Sequence, residues 1–222
     1  MTHRKPRPSR NPLTSKVVQL GLLTAGIAAA AAAAPAQAAA PSSSFARVAV
    51  ANDHVSTLAN RAHHTVVKDN FTVHQYGTAI ATGVRNQANA VSAGCSVDDH
   101  CRSVALSFQI VTVAGHQTHL NAVNLSDAVN KSCTGCQTLA GAYQFVVSTP
   151  RAFTLNAASQ HKLADIHRRL DALTHSKASA TDLKAQADGL AAEVKTVLAD
   201  AVATAHFAPD VAVHRHLDGG WR

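Results

Sequence analysis

Between Arg102 and Val111 bulky and small side chains alternate strictly, with Val104, Leu106, Phe108 and Ile110 on one face and Ser103, Ala105, Ser107 and Gln109 on the other. A period of two is the mark of a strand with one apolar face. The pattern returns at Leu139, Tyr143, Phe145 and Val147, and β-branched and aromatic residues at the far ends of both segments favour strand over helix. Both segments therefore turn the same face to a core. Ahead of the second strand, residues 124–130 predict a short helix capped by Ser126 or Asn124, a turn that delivers the chain into the next segment.

After Pro150 the period changes. Leu163, Ile166, Leu170 and Leu173 fall at helical a and d positions, with Asp165, Arg168, Arg169 and Asp171 on the other faces. A polar link over residues 174–180 leads to a second amphipathic stretch, Leu183, Ala187, Leu190, Val194, Val197 and Ala201. Ser179 followed by Asp182 resembles a capping box, with Thr181 as a rival cap. Two helices joined by a short link predict an antiparallel hairpin. Its apolar stripes zip together, cover the sheet, or pair with a second copy. The expected contact surface for a protein partner or for self-association is this hairpin, through Leu163, Ile166, Leu170, Leu173, Leu183, Leu190, Val194 and Val197. Residues 207–222 lack periodicity and predict a flexible tail.

The two strand segments belong to a repeat. Residues 101–111, Cys-Arg-Ser-Val-Ala-Leu-Ser-Phe-Gln-Ile-Val, align with residues 136–146, Cys-Gln-Thr-Leu-Ala-Gly-Ala-Tyr-Gln-Phe-Val, at an offset of 35 with four identities in eleven positions. Upstream, with a three-residue gap, Ala90-Val91 and Cys95 correspond to Ala128-Val129 and Cys133. Each unit thus holds an Ala-Val segment, a cysteine pair and a long apolar strand. Residues 48–52 and 71–80 outline a degenerate first unit without cysteine.

The amino-terminal residues read differently. Arg4, Lys5, Arg7, Arg10 and Lys16 precede an apolar run from Val17 to Ala34, and Ala36-Gln37-Ala38 supplies small residues for a peptidase. Basic region, apolar core and small residues in that order predict a signal peptide over residues 1–38, cleaved after Ala38. No Arg-Arg pair precedes the core, which favours the general secretory route and a secreted product. Cleavage changes the charge picture, because Lys and Arg fall from 20 to 15 against an unchanged 13 acids, leaving +2 in place of +7. The remaining charges are scattered, so nucleic acid is not an expected partner. No later stretch approaches the length of a membrane span, so no membrane partner is expected once the leader is removed.

Four cysteines in an exported chain predict disulfides at Cys95, Cys101, Cys133 and Cys136. The repeat equates Cys95 with Cys133 and Cys101 with Cys136. That symmetry allows one bridge inside each unit or two bridges between units, and local bridges need no assumption about strand placement. Two other chemistries compete. Cys133-Thr-Gly-Cys136 has the spacing of a redox pair, but a strand follows it where a thioredoxin-like site has a helix. A four-cysteine zinc site is disfavoured by the five residues between Cys95 and Cys101, against the usual two to four. The pairs His63-His64, His116/His119 and His214/His216 show no convergence on three or four ligands. His-Glu-x-x-His and Gly-x-Ser-x-Gly are absent from the sequence, and no catalytic residue, cofactor or metal is expected.

The repeated Cys-[Arg/Gln]-[Ser/Thr]-[Val/Leu]-Ala-x-[Ser/Ala]-[Phe/Tyr]-Gln, followed by paired Leu-rich helices, resembles a group of exported actinobacterial proteins of unknown function over residues 45–200. Some members carry the label peptide zinc metalloprotease protein, for which this sequence offers no zinc-protease motif. The resemblance implies export and a paired-cysteine domain. Its usual Cys-x-x-Cys in both units is widened here at Cys95 and Cys101.

Together these features predict an α+β fold. A small, mostly antiparallel β-sheet domain with an internal repeat and paired cysteines occupies 39–150, and an antiparallel helical hairpin follows over 151–206. The expected role is a disulfide-stabilised binding or assembly module, with thiol-disulfide exchange at Cys133 and Cys136, or metal binding, as alternatives.

Overall fold

A computed structural model describes residues 47–115 and 119–205 and the backbone of residues 210–221. The expected signal peptide and the cleavage position at Ala38 lie outside the described residues. The elements run β1 (Val48–Ala59), β2 (Thr65–Thr78), β3 (Ala81–Ala93), β4 (Arg102–Ala114), β5 (His119–Lys131), β6 (Gln137–Thr149), α1 (Ala157–Thr174), α2 (Ala180–Thr204) and β7 (Asp210–Trp221), with a 3-10 turn at Val97–Asp99.

The chain alternates between two sheets, ordered β1-β3-β5 and β2-β4-β6-β7. β1, β3 and β5 are mutually parallel, as are β2, β4 and β6, and among the described strands only β7 runs antiparallel, against β6. Three strand-turn-strand units are therefore stacked as successive coils of a flattened solenoid. This corrects the mostly antiparallel sheet expected from sequence. The physical reason is the repeat itself: when each coil carries the chain through one strand of each sheet, the next equivalent strand lies beside its predecessor in the same direction. Repeat neighbours in register stack like on like.

The register realises the sequence alignment, pairing Arg102 with Gln137, Phe108 with Tyr143, and Ala90 with Ala128. It also completes the cysteine-free first unit, placing Val48 beside Ala81 and Phe71 beside Phe108. Residues 124–130, expected as a helix, lie inside β5. There Asn124 pairs with Asn86 across the ladder, so sheet hydrogen bonds with β3 override the local capping preference. Within the expected tail, Asp210–Trp221 form β7, whose backbone pairs along the β6 edge.

Small side chains fill the space between the sheets. Ala88, Ala90, Ala105, Ala140 and Ala142 are fully buried there. The bulky face of the second sheet points the other way, and Val104, Leu106, Phe108, Ile110, Leu139, Tyr143, Phe145 and Val147 form one core with the helices. Phe108 stacks on Tyr143 at 4.4 Å and on Phe71 at 5.9 Å between ring centroids. β4 and β6 are thus buried on both faces.

The hairpin residues Leu163, Ile166, Leu170, Leu173, Leu183, Leu190, Val194 and Val197 are all buried in that same core. Of the three arrangements open to the sequence, two occur together: the stripes pack on each other and cover the bulky face of the second sheet. Asn156 caps α1 by accepting from the Ser159 N–H at 2.8 Å. Ser179, not Thr181, caps α2 and accepts from the Asp182 N–H at 3.1 Å. The link between the helices is tied down by Arg102 at the start of β4, which donates to the Ala178 carbonyl at 2.6 Å and the Ser176 carbonyl at 3.1 Å.

Candidate functional site

Three features outside the sheet–helix core carry chemistry or contact: a cysteine corner, a buried polar ladder and a bare sheet face. The corner lies where the chain passes from the first sheet to the second. The sequence-expected local bridges are formed, Cys95 to Cys101 and Cys133 to Cys136, with Cα atoms 6.3 and 5.8 Å apart. Stacking of coils then unites the pairs, because Cys101 and Cys136 immediately precede the paired residues Arg102 and Gln137. All four sulfurs lie within 4.8 Å of one another, packed with Ala59 and Val66. This convergence was not legible in the unequal spacing of the two pairs.

The backbone around the corner is specialised. Gly94, His100, Ser132 and Gly135 have φ of 67°, 45°, 49° and 75°, and each immediately precedes one of the four cysteines. A left-handed residue at that place turns the chain so that the following side chain points inward, at a steric cost for the non-glycine residues His100 and Ser132. The loop between Cys95 and Cys101 is held by Ser96, whose N–H and hydroxyl donate to Asp99 Oδ2 at 2.6 and 2.9 Å. Those bonds, with Arg61 and His64 nearby, hold the Asp99 carboxyl below its usual range.

Cys133 is only 7 % exposed, and β6 rather than a helix follows the pair. An exchange-active first cysteine is ordinarily reachable and sits at a helix amino terminus. Of the expected histidine pairs, His63 and His64 occupy the β1–β2 turn, His116 lies outside the described residues, and the side chains of His214 and His216 are not described. Among the described residues, the four cysteines are the group able to converge on a metal ion.

The ladder occupies the space between the sheets. Asp53, Asn86 and Asn124 are register partners in the first sheet, as are Thr72, Gln109 and Gln144 in the second. Asn86 donates to the Ser107 and Tyr143 carbonyls at 3.2 and 3.0 Å and to Asn124 Oδ1 at 3.1 Å, and accepts from the Ser107 hydroxyl at 2.6 Å. Gln144 donates to Gln109 Oε1 at 2.8 Å, and Gln109 donates to Asp53 Oδ2 at 2.6 Å. The same oxygen accepts from the Thr72 hydroxyl at 2.7 Å and lies 2.9 Å from His74 Nε2. Burial alone pushes the Asp53 carboxyl up, but the bonds from His74, Thr72 and Gln109 outweigh it and hold the group below its usual range. Sequence reading missed Asp53, Thr72 and His74. The signal was present in the identical Gln109 and Gln144, which the alignment with the weak first unit extends.

The outward face of β1-β3-β5 is bare among the described residues. Val48, Val50, Leu58, Leu125 and Val129 on that face are 63, 64, 52, 41 and 37 % exposed. Leu58, Val91 and Val129 stand in one apolar row across the three strands. On one side of it lies a chain of polar side chains, linked from Arg85 to Gln87 at 2.9 Å, Gln87 to Asn89 at 3.2 Å and Asn89 to His54 at 3.1 Å.

No family model, no curated protein and no solved structure matches this chain.

Proposed function

We propose that this chain is an exported assembly module, stapled by its two disulfides, that pairs with a second copy of itself through the outward face of β1-β3-β5. Export rests on the order of charge, apolar run and small residues over 1–38 and on the resemblance to exported paired-cysteine proteins. Disulfides fit that compartment. The assembly role rests on one observation: the second sheet is covered by the helical hairpin, whereas the first leaves five apolar side chains in solvent. Exposed apolar side chains gathered on one sheet face and interleaved with polar ones are the composition of an interaction surface.

A second copy is the occupant that fits. Three strands at roughly 4.8 Å and 13 residues at roughly 3.3 Å give a flat face on the order of 600 Å² in plan. Side-chain relief brings that towards the roughly 800 Å² per partner of a standard interface. The face also carries both signs of charge, Arg85 and Lys131 against Asp127, so an isologous pairing offsets its own charges.

Sedimentation of the protein beginning at Ala39, across a range of concentrations, tests the reading, with Val50→Lys/Leu125→Lys as the variant. A dimer that the double substitution converts to monomer, with the circular dichroism unchanged, is expected. A wild-type chain that stays monomeric throughout the range overturns the assembly role. Intact mass tests the staple: two disulfides set the chain four hydrogens below its reduced mass, as the four cysteines require.

A further inference from the structure

We infer that the four-cysteine corner is a two-state site, holding two disulfides when oxidised and one tetrahedral zinc ion when reduced. Spacing in the sequence argued against this, because five residues separate Cys95 from Cys101. Parallel stacking removes the objection, since the ligands come two from each of two adjacent coils and the third dimension decides their distances.

The geometry is close to what zinc needs. Zn–S bonds of about 2.3 Å in a tetrahedron set every sulfur about 3.8 Å from the other three. The four sulfurs already lie within 4.8 Å of one another, so the most distant pair closes by about 1 Å. The bonded pairs open by side-chain rotation once reduced. The left-handed residues before each cysteine aim all four side chains at this point. The surroundings also suit a closed structural site: the four cysteines are between 0 and 7 % exposed, with Ala59 and Val66 packed against them. Four soft thiolates in tetrahedral array select zinc over hard cations such as magnesium and calcium.

The conversion balances as follows. Two molecules of a dithiol reductant each give two hydrogens to one protein disulfide and close into disulfides of their own, leaving four protein thiols. One Zn²⁺ then displaces four protons to form the tetrathiolate. Oxidation by two equivalents of a small-molecule disulfide returns the two bridges, and the metal leaves.

The test uses the chain from Ala39, reduced with excess dithiol, freed of reductant without air, and incubated with Zn²⁺ or Co²⁺. Expected are four titratable thiols before metal, one zinc retained per chain after desalting, and an intense thiolate-to-cobalt charge-transfer band with Co²⁺. Reoxidation should release that zinc, and Cys133→Ser/Cys136→Ser should lower zinc affinity at least a hundredfold. A fully reduced chain that retains no zinc, or retains it equally in the double variant, overturns the site. If the double variant is unfolded by circular dichroism, release of zinc on reoxidation of the wild type decides, and retention there overturns the inference. The readouts are independent of oligomeric state, so failure here leaves the assembly reading standing, and the reverse.

Discussion

Replacing Asn86 by Ala tests whether the polar ladder locks the coils together. Asn86 is fully buried, and its amide touches groups from both sheets and from two of the three coils: Ser107 on β4, Asn124 on β5 and Tyr143 on β6. Alanine removes all four bonds and leaves no room for bulk water between sheets packed through alanine. The Ser107 hydroxyl loses its acceptor, which costs about 1–3 kcal/mol for an orphaned buried group. The two carbonyls and the Asn124 amide oxygen each lose one donor, at roughly 0.5–1 kcal/mol net apiece. The expected loss is about 3–5 kcal/mol, a large share of the stability of a domain this size. Equilibrium urea unfolding followed by circular dichroism measures it, with Asn121→Ala as control because Asn121 points outward into solvent. The control should stay within about 0.5 kcal/mol of wild type, as surface substitutions do. If Asn86→Ala costs no more than Asn121→Ala, the ladder does not hold the sheets and the reasoning fails.

Phe108→Ala should cost about 3–5 kcal/mol by the same assay, since it empties the centre of the sheet–helix core and breaks the stacks with Tyr143 and Phe71; a loss below about 1 kcal/mol would refute the packing. Arg102→Met should weaken docking of the helical link by about 1.5–3 kcal/mol, seen as faster amide exchange at residues 174–180, because two carbonyls lose a charged donor. The Asp53 carboxyl is held below its unfolded value, so its contribution is fully present above about pH 5 and disappears as pH falls through the folded value. Urea midpoints measured from pH 6 to pH 3 should therefore fall more steeply for wild type than for Asp53→Asn, and parallel slopes would contradict the assigned bonds. Ser179→Ala should cost about 1 kcal/mol, the usual worth of an amino-terminal cap, in thermal unfolding.

Much of the fold was written in local pattern. Period two at Val104–Ile110 and Leu139–Val147 identified β4 and β6 and the face they bury, because alternation follows from strand geometry alone. The heptad spacing from Leu163 and the Ser179 cap identified both helices for the same local reason. The repeat gave the register of β4 on β6 to the residue. β5 was misread because its Asn-, Ser- and Asp-rich sequence satisfies a helix cap as readily as a ladder, and the choice was made by β3 lying alongside. β7 was missed because a strand can be specified by the open edge of β6 without a pattern of its own.

The candidate site divides along the same line. Disulfide pairing inside each unit was legible, since cysteines six and three positions apart meet through a turn whatever the rest of the chain does. Strand direction was not, because alternation is identical in parallel and antiparallel sheets, and only coil-on-coil stacking distinguishes them. From that one tertiary decision follow the meeting of four sulfurs, the ladder that brings Asp53 to Gln109, and the division of the two outer faces. One face received the hairpin and the other, among the described residues, stayed open. Local pattern set β4, β6, both helices and the staples; the direction in which equivalent strands stack, a contact between residues some 35 positions apart, determined what those staples and faces can do.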